Sequence, residues 1–314
     1  MRVFAGFILR GRLQAISVAA VAAALAMLIP LFSHVAGGTV ALVTLRKGLQ
    51  EGIIVTVVSA VLLAVFGHLS SIDGGIVNIV VGAVVALIWI PILVTSQVLR
   101  ITRSINLALA VTGGLTIAGV SVFYLYVGDA VAWWRNILQE ILVPLLQHVE
   151  IPGLSGDTTS LIENMARVMT GVLAATVVFT TMINLFLGRW LQALLFNPGG
   201  FGEEFRSVHL GRRMGVVAVI VLLAATIATG IVGGLAVNLL FVVGAVLTVQ
   251  GLSLVHAVVN YTKAHSAWLF GLYVLMLFLP PQVALALSAA GFADSWMDIR
   301  ARFRKGGPPA QKSD

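Results

Sequence analysis

The sequence predicts an all-α, polytopic transmembrane helical bundle, and three observations carry that prediction. Apolar residues make up 59% of the 314 residues and charged residues 10%, whereas soluble domains carry roughly 25% charge. The mean hydropathy is +1.05. The apolar runs recur between residues 13 and 296 and are continuous, without the two-residue alternation of a membrane-spanning barrel. The charges fall in short gaps between these runs. One transmembrane domain over 1–298, followed by a basic cytoplasmic tail over 299–314, is therefore the economical organisation.

A hydrocarbon core of about 30 Å needs roughly 20 helical residues. Runs of that order cover 13–30, 52–69, 75–99, 104–127, 165–188, 214–234 and 235–261, and a last one, 267–292, is interrupted by Pro280-Pro281. The first run follows Arg2, Arg10 and Arg12, but His34-Val35-Ala36 makes a poor signal-peptide cleavage site, so a spanning helix is expected there. The segment 35–47 is short and ends in Arg46-Lys47-Gly48. If it crosses as a short helix, Arg46, Lys47, Arg100, Arg103, Arg189, Arg206, Arg212 and Arg213 join the N-terminal arginines on the cytoplasmic face. Keeping the basic tail on that face needs either two short crossings around Pro280-Pro281 or one re-entrant segment. The expected count is eight to ten spans in a bacterial inner membrane, with both termini cytoplasmic.

Two stretches between runs stand out. Residues 129–164 carry Asp129, Glu140, Glu150, Asp157 and Glu163, which assigns them to the outer face. Within them Trp133, Ile137, Leu138, Ile141, Leu145 and Leu146 recur at helical spacing opposite Arg135, Asn136, Gln139 and Glu140. This predicts an amphipathic interfacial helix near 130–148, acting as a strap between spans or as a lid. The second stretch contains Asn197-Pro198-Gly199-Gly200, a strong turn signal. The surrounding Phe201, Glu204 and Arg206 either dock a partner or pin the loop to its own helices.

The chemistry available is sparse. Absent cysteine excludes disulfides, thiolate metal sites and cysteine nucleophiles. No carboxylate lies in the middle of a run, since Glu51, Asp73, Asp129 and Asp294 all sit at run ends. That argues against a carrier or an aspartyl protease built on an intramembrane acid. Zinc-hydrolase, nucleophile-elbow and phosphate-loop motifs are missing. No enzyme activity, cofactor or metal is expected. Nucleic acid is not expected either, because the excess of basic residues flanks apolar runs instead of forming a patch.

Asn78, Gln97, Asn106, Asn184, Asn238, Gln250, His256 and Asn260 remain as polar groups within or at the ends of runs, and interhelical hydrogen bonding accounts for any one of them. Asn78, Gln250, His256 and Asn260 are the candidate lining of a cavity for a small polar ligand. His256 and Asn260 are four apart and share a helix face, and Gly251 would let the helix kink or a ligand approach. Ala19 and Ala23 belong to a small-residue face that packs either within the chain or against a separate membrane subunit. With Phe201, Glu204, Arg206, Asp294, Trp296 and Arg300 they form the candidate partner contacts.

The closing segment Gly291-Phe292-Ala293-Asp294-Ser295-Trp296-Met297-Asp298-Ile299-Arg300-Ala301-Arg302 resembles the signature of the YybS-like family, bacterial multi-pass membrane proteins with no assigned activity. The 197–205 loop and Gln250-Gly251 resemble features of its proteobacterial members. This resemblance implies an architecture and no catalytic residues. The 42–48 segment followed by Gly52 is similar to the S-components of energy-coupling-factor vitamin transporters. Those proteins meet their transport subunit through an Ala-x-x-x-Ala face on the first helix, which implies that role for residues 19–26. They are shorter and have fewer spans, so the last third of this chain lies outside the likeness. The expected function is a transport-associated module that binds a small polar solute from outside and lacks its own energy source. The alternative is a membrane scaffold that recruits a cytoplasmic partner through the 196–206 loop and the C-terminal tail.

Overall fold

A computed structural model describes residues 1–70, 73–147, 158–297 and 299–305, and all regular structure in them is helical. The helices are α1 (Arg2–Arg10), α2 (Arg12–Leu25), α3 (Phe32–Lys47), α4 (Leu49–Leu69), α5 (Gly74–Val84), a π-helical turn (Val85–Trp89), α6 (Ile90–Thr102), α7 (Ile105–Val127) and α8 (Ala130–Gln147). There follow α9 (Thr158–Phe196), α10 (Gly200–Arg206), α11 (Gly211–Ile227), α12 (Gly230–Tyr261), α13 (Ala267–Phe278), α14 (Pro280–Met297) and α15 (Ile299–Lys305). The chain divides into two compact units, Met1–Thr112 with Val177–Val208, and Gly113–Thr176 with His209–Asp314.

The first unit is built around α3. Every residue of α3 between Ala36 and Leu45 is buried, and α2, α4 and α6 all pack on it. Its fourth side meets α9: a Cβ on Gly37 would strike the Asn184 side chain, and one on Gly188 would stand 2.8 Å from the Leu42 backbone nitrogen. A helix enclosed on all sides needs no polar face, which explains its lack of amphipathic pattern. Its 16 residues rise about 24 Å at 1.5 Å each, short of a full hydrocarbon core. The awkward 35–47 segment is therefore a helix, but one that faces protein instead of lipid.

The outward faces of α4 and α5 expose Val57, Val61, Val65, Phe66, Ile76 and Ile79. An apolar belt of that size is stable only against lipid. The α5–α6 run is one 29-residue span, and its π-helical turn ends two residues before Pro91. Proline contributes no N–H and crowds the preceding turn, so the helix widens there. Thr95 donates its hydroxyl to the Pro91 carbonyl oxygen at 2.7 Å.

In the second unit α12 packs on α14 and α11. A Cβ on Gly291 would lie 2.2 Å from the Leu247 carbonyl oxygen, so the two backbones come together at that glycine. The helix expected near 130–148 is present as α8. Leu138 meets Ile162 and Ala166 of α9 in a small core that also holds Trp134 and Leu142. Trp134 donates to the Thr170 hydroxyl at 2.9 Å and Arg135 to Glu163 at 2.6 Å. Trp133 stays partly exposed and meets Phe123 edge-on. Residues Glu150 and Asp157 of the acidic stretch lie outside the described residues.

Among the described residues five helices are long and apolar enough to cross a membrane, or up to seven if each bent pair counts as one span, where the sequence led to an expectation of eight to ten. The 13–30 run is a 14-residue α2 joined to α1 by a 118° bend at Gly11. The last run breaks at Leu279, beside Pro280-Pro281 as expected, leaving α13 with 12 residues. The boundary expected after Gly234 falls instead at Ala228-Thr229, and Gly233 and Gly234 are helical.

Candidate functional site

One end of the first unit gathers arginines from three helices. α3 ends in Arg46 and Lys47, α6 carries Arg100 in its last turn and is capped by Arg103, and α9 carries Arg189 in its last turns. Arg100, Arg103 and Arg189 line a cavity of about 300 Å3 together with Gln192, Glu204 and Phe196, over Leu45 and Leu99. The turn between α3 and α4 makes room for this arrangement. Gly48 has φ of 105°, which favours glycine, and a Cβ there would lie 3.1 Å from Nη1 of Arg100. Arg103 closes α6 in the left-handed region, with φ of 55° and ψ of 24°. Non-glycine residues adopt that conformation at a cost of about 1–2 kcal/mol.

The three arginines are held differently. Arg189 is bidentate to Glu204, with Nε–Oε2 at 2.8 Å and Nη2 against Oε1, and it also donates to Gln192 at 3.2 Å. Glu204 is delivered by α10, which the Asn197–Gly200 turn folds back onto α9. Gly199 makes that turn with φ of 89°. Phe201 and Phe205, one helical turn apart, pack with Phe186 of α9 at ring distances of 5.7 and 5.3 Å. Arg100 and Arg103 have no ion pair or side-chain hydrogen bond among the described residues. Arg46 lies 4.0 Å above the Phe196 ring and so backs the cavity's aromatic wall. The site thus holds three guanidinium groups against one carboxylate in a half-enclosed, polar space.

Of the four residues expected to line a ligand cavity, one belongs to the first unit and three to α12 of the second. Asn78 belongs to the first unit, where it is exposed and bonds the His68 ring at 3.2 Å. Gln250 is fully buried in the second unit and spends its amide on structure. Its oxygen accepts from the Leu210 N–H at 3.0 Å, and its nitrogen donates to the Gly291 carbonyl at 2.9 Å and the Ser295 hydroxyl at 3.0 Å. His256 donates through Nδ1 to the Leu252 carbonyl at 2.9 Å and accepts at Nε2 from the Tyr273 hydroxyl at 3.1 Å. Asn260 is exposed. Beside His256 a cavity of about 610 Å3 opens between α12 and α13, but its walls, Val255, Val259, Trp268 and Leu272 among them, are apolar. Gly251, expected to admit a kink or a ligand, admits α14.

The candidate partner contacts are largely engaged within the chain. Ala19 and Ala23 are buried in the first unit, against α3 and α4. Phe201 and Glu204 make the contacts described above, and Arg206 lies over Gly202. In the second unit Asp294 is fully buried, accepting from Arg300 Nε and His209 Nδ1, both at 3.1 Å, and from the Ile299 N–H at 3.2 Å. Arg300 also reaches the Ser253 hydroxyl at 3.2 Å. Burial pushes the Asp294 carboxyl up, but the His209 hydrogen bond and the Arg300 charge together hold it below the usual carboxylate range. Trp296 packs on Gly215, with Arg212 5.2 Å over its ring.

Sequence reasoning missed the cavity because its arginines all sit at run ends, where topology alone explains them. The visible signal was Arg103, a charged residue at the α6–α7 junction where glycine would be cheaper.

Residues 17–295 match the family described as "Predicted membrane protein (DUF2232)". No curated protein and no solved structure matches the chain. The match covers most of the sequence: α3 to α13 and the lipid-facing belt fall within it, and the closing motif begins inside it. The chain is a multi-pass membrane protein of the DUF2232, or YybS-like, family.

Proposed function

We propose that the protein is a transport-associated module of the inner membrane that binds a small solute and takes its energy from a partner subunit. It does no chemistry of its own on that solute. The observation that carries this reading is the arginine-lined cavity of the first unit, about 300 Å3 in volume, which is at the small end of ligand-pocket sizes. Asn78, Gln250, His256 and Asn260 are replaced as the lining by Arg100, Arg103, Arg189 and Gln192. The positive-inside rule assigns this end of the unit, and both termini, to the cytoplasmic side.

The scaffold alternative draws less support. Phe201, Glu204, Asp294 and Arg300, the residues it would offer to a partner, are spent on contacts within their own units.

The test is ligand-dependent stability of the full chain in an uncharged detergent. A panel of neutral, cationic and anionic small solutes is titrated against the thermal midpoint. Binding to the folded state alone adds about 2.7 kcal/mol at a hundred times Kd. At least one solute is expected to raise the midpoint, and the rise is expected to vanish in the Arg100→Gln/Arg103→Gln double variant. A panel that leaves the midpoint unmoved would overturn the reading.

A further inference from the structure

We infer that the cavity of the first unit recognises a phosphomonoester group, with Arg100 and Arg103 as its principal ligands. This rests on the solute-binding reading and names the chemistry of that same site. The argument starts from the partner already present. A carboxylate offers two oxygens, and Glu204 uses both of them on one guanidinium, that of Arg189. Two further guanidinium groups, Arg100 and Arg103, line the same space with no such partner among the described residues. A second carboxylate would satisfy one of them and leave the other. A tetrahedral phosphate presents three free oxygens, enough for two planar forks at once.

Charge makes the same selection. Three arginines against one glutamate leave the lining two positive charges in excess, and a phosphomonoester carries about −1.5 to −2 at pH 7. Glu204 has a second effect, because it withdraws Arg189 and disfavours ligands of smaller charge. Ser96, one helical turn before Arg100 on α6, is buried with a hydroxyl that has no partner among the described residues, and the neighbouring Gln97 has a side-chain oxygen in the same condition, though neither lines the cavity itself. Buried polar groups left unpaired are uncommon and call for an explanation such as a bound water or ligand. Phe196, Leu45 and Leu99 supply an apolar wall for whatever carries the phosphate.

Ordinary topology anchoring requires only that basic residues reach the headgroup layer. It does not require Arg103 to adopt a left-handed backbone, nor Arg100 to lie on Gly48.

The phosphate has two sources of the same chemistry, a soluble phosphomonoester or the headgroup of phosphatidic acid, and the experiment separates them. In one arm, inorganic phosphate and glycerol 3-phosphate are titrated calorimetrically into the full chain in uncharged detergent. In the other, native mass spectrometry compares retention of phosphatidic acid with that of phosphatidylcholine. Saturable binding is expected in at least one arm, and which arm responds identifies the source. Each Arg→Gln change at 100 or 103 is expected to weaken it at least about tenfold, the scale of a hydrogen bond to a charged group. Arg→Lys at the same positions restores part of the loss, and Arg213→Gln changes nothing. Both arginines are exposed and have no ion pair among the described residues, so an unchanged thermal midpoint distinguishes lost binding from lost folding. Absence of binding in both arms, or equal binding by the double Gln variant, overturns the assignment. If a solute without phosphate stabilises the chain while both arms fail, the assignment falls and the binding-module reading stands.

Discussion

A Cβ on Gly251 would stand 1.9 Å from the carbonyl oxygen of Leu287, so α12 and α14 touch backbone to backbone at that point. Close approach through glycine is how helices associate where lipid provides no hydrophobic drive. Gln250, the preceding residue, donates across the same seam to Gly291. The neighbourhood that looked like a ligand site in the sequence is the seam of the second unit.

Gly251→Ala is therefore expected to force α12 and α14 apart. Overpacking against fixed backbone costs about 1–3 kcal/mol, and this site belongs at the upper end. Gly244→Ala, on the same helix with nothing within 4 Å, is expected to be neutral or stabilising, by up to about 1 kcal/mol of helix propensity. Thermal unfolding of the two variants in detergent checks the contrast.

Asp294→Asn is expected to destabilise strongly, because Arg300 would keep its buried position without its carboxylate. Breaking a buried ion pair from one side costs about 3–5 kcal/mol. The pH dependence follows from the same contacts. The folded carboxyl is held below its ordinary value, so its contribution is complete above that ordinary value and is lost as pH falls through the depressed folded one. Stability measured from pH 7 to pH 3 is expected to fall in acid, and the Asn variant to start lower and fall less.

Asn238 bridges one rung of α9. Its side-chain oxygen accepts from the Gly171 N–H, while its nitrogen donates to the Arg167 carbonyl at 2.9 Å and to the Tyr124 hydroxyl at 2.9 Å. Replacement by Leu, similar in size, leaves these groups short of a partner. The expected loss is about 1–3 kcal/mol for each group that water cannot reach. Tyr124→Phe removes one bond only and is expected to cost less. A midpoint for Asn238→Leu equal to that of the unaltered chain would contradict this account.

Arg103→Asn separates stability from binding. Asparagine tolerates the left-handed conformation better than arginine, so the thermal midpoint is expected to hold or rise, by roughly 0.5 kcal/mol, while affinity for the phosphate probes falls. A loss of both together would mean that Arg103 serves the fold.

The membrane class, the helical architecture and the break at Pro280-Pro281 were legible in the sequence because hydropathy and proline chemistry act locally. The helix near 130–148 was legible for the same reason: Leu138 recurs with its neighbours at helical spacing, and α8 buries that residue. The burial of α3 was not, because Gly37, Gly38 and Gly188 state that a helix will approach without stating which one. His209 illustrates the same limit, since 85 positions separate it from Asp294.

By itself the sequence determined that lipid is the solvent of this chain and that its arginines gather where apolar runs end. Only the tertiary structure decided that Arg100, Arg103 and Arg189 share one cavity, that one of them is taken by Glu204, and that Gln250 holds helices together. The physical reason is that water-to-lipid transfer depends on each run's own composition, whereas a site depends on which side chains distant segments bring within about 3 Å of each other.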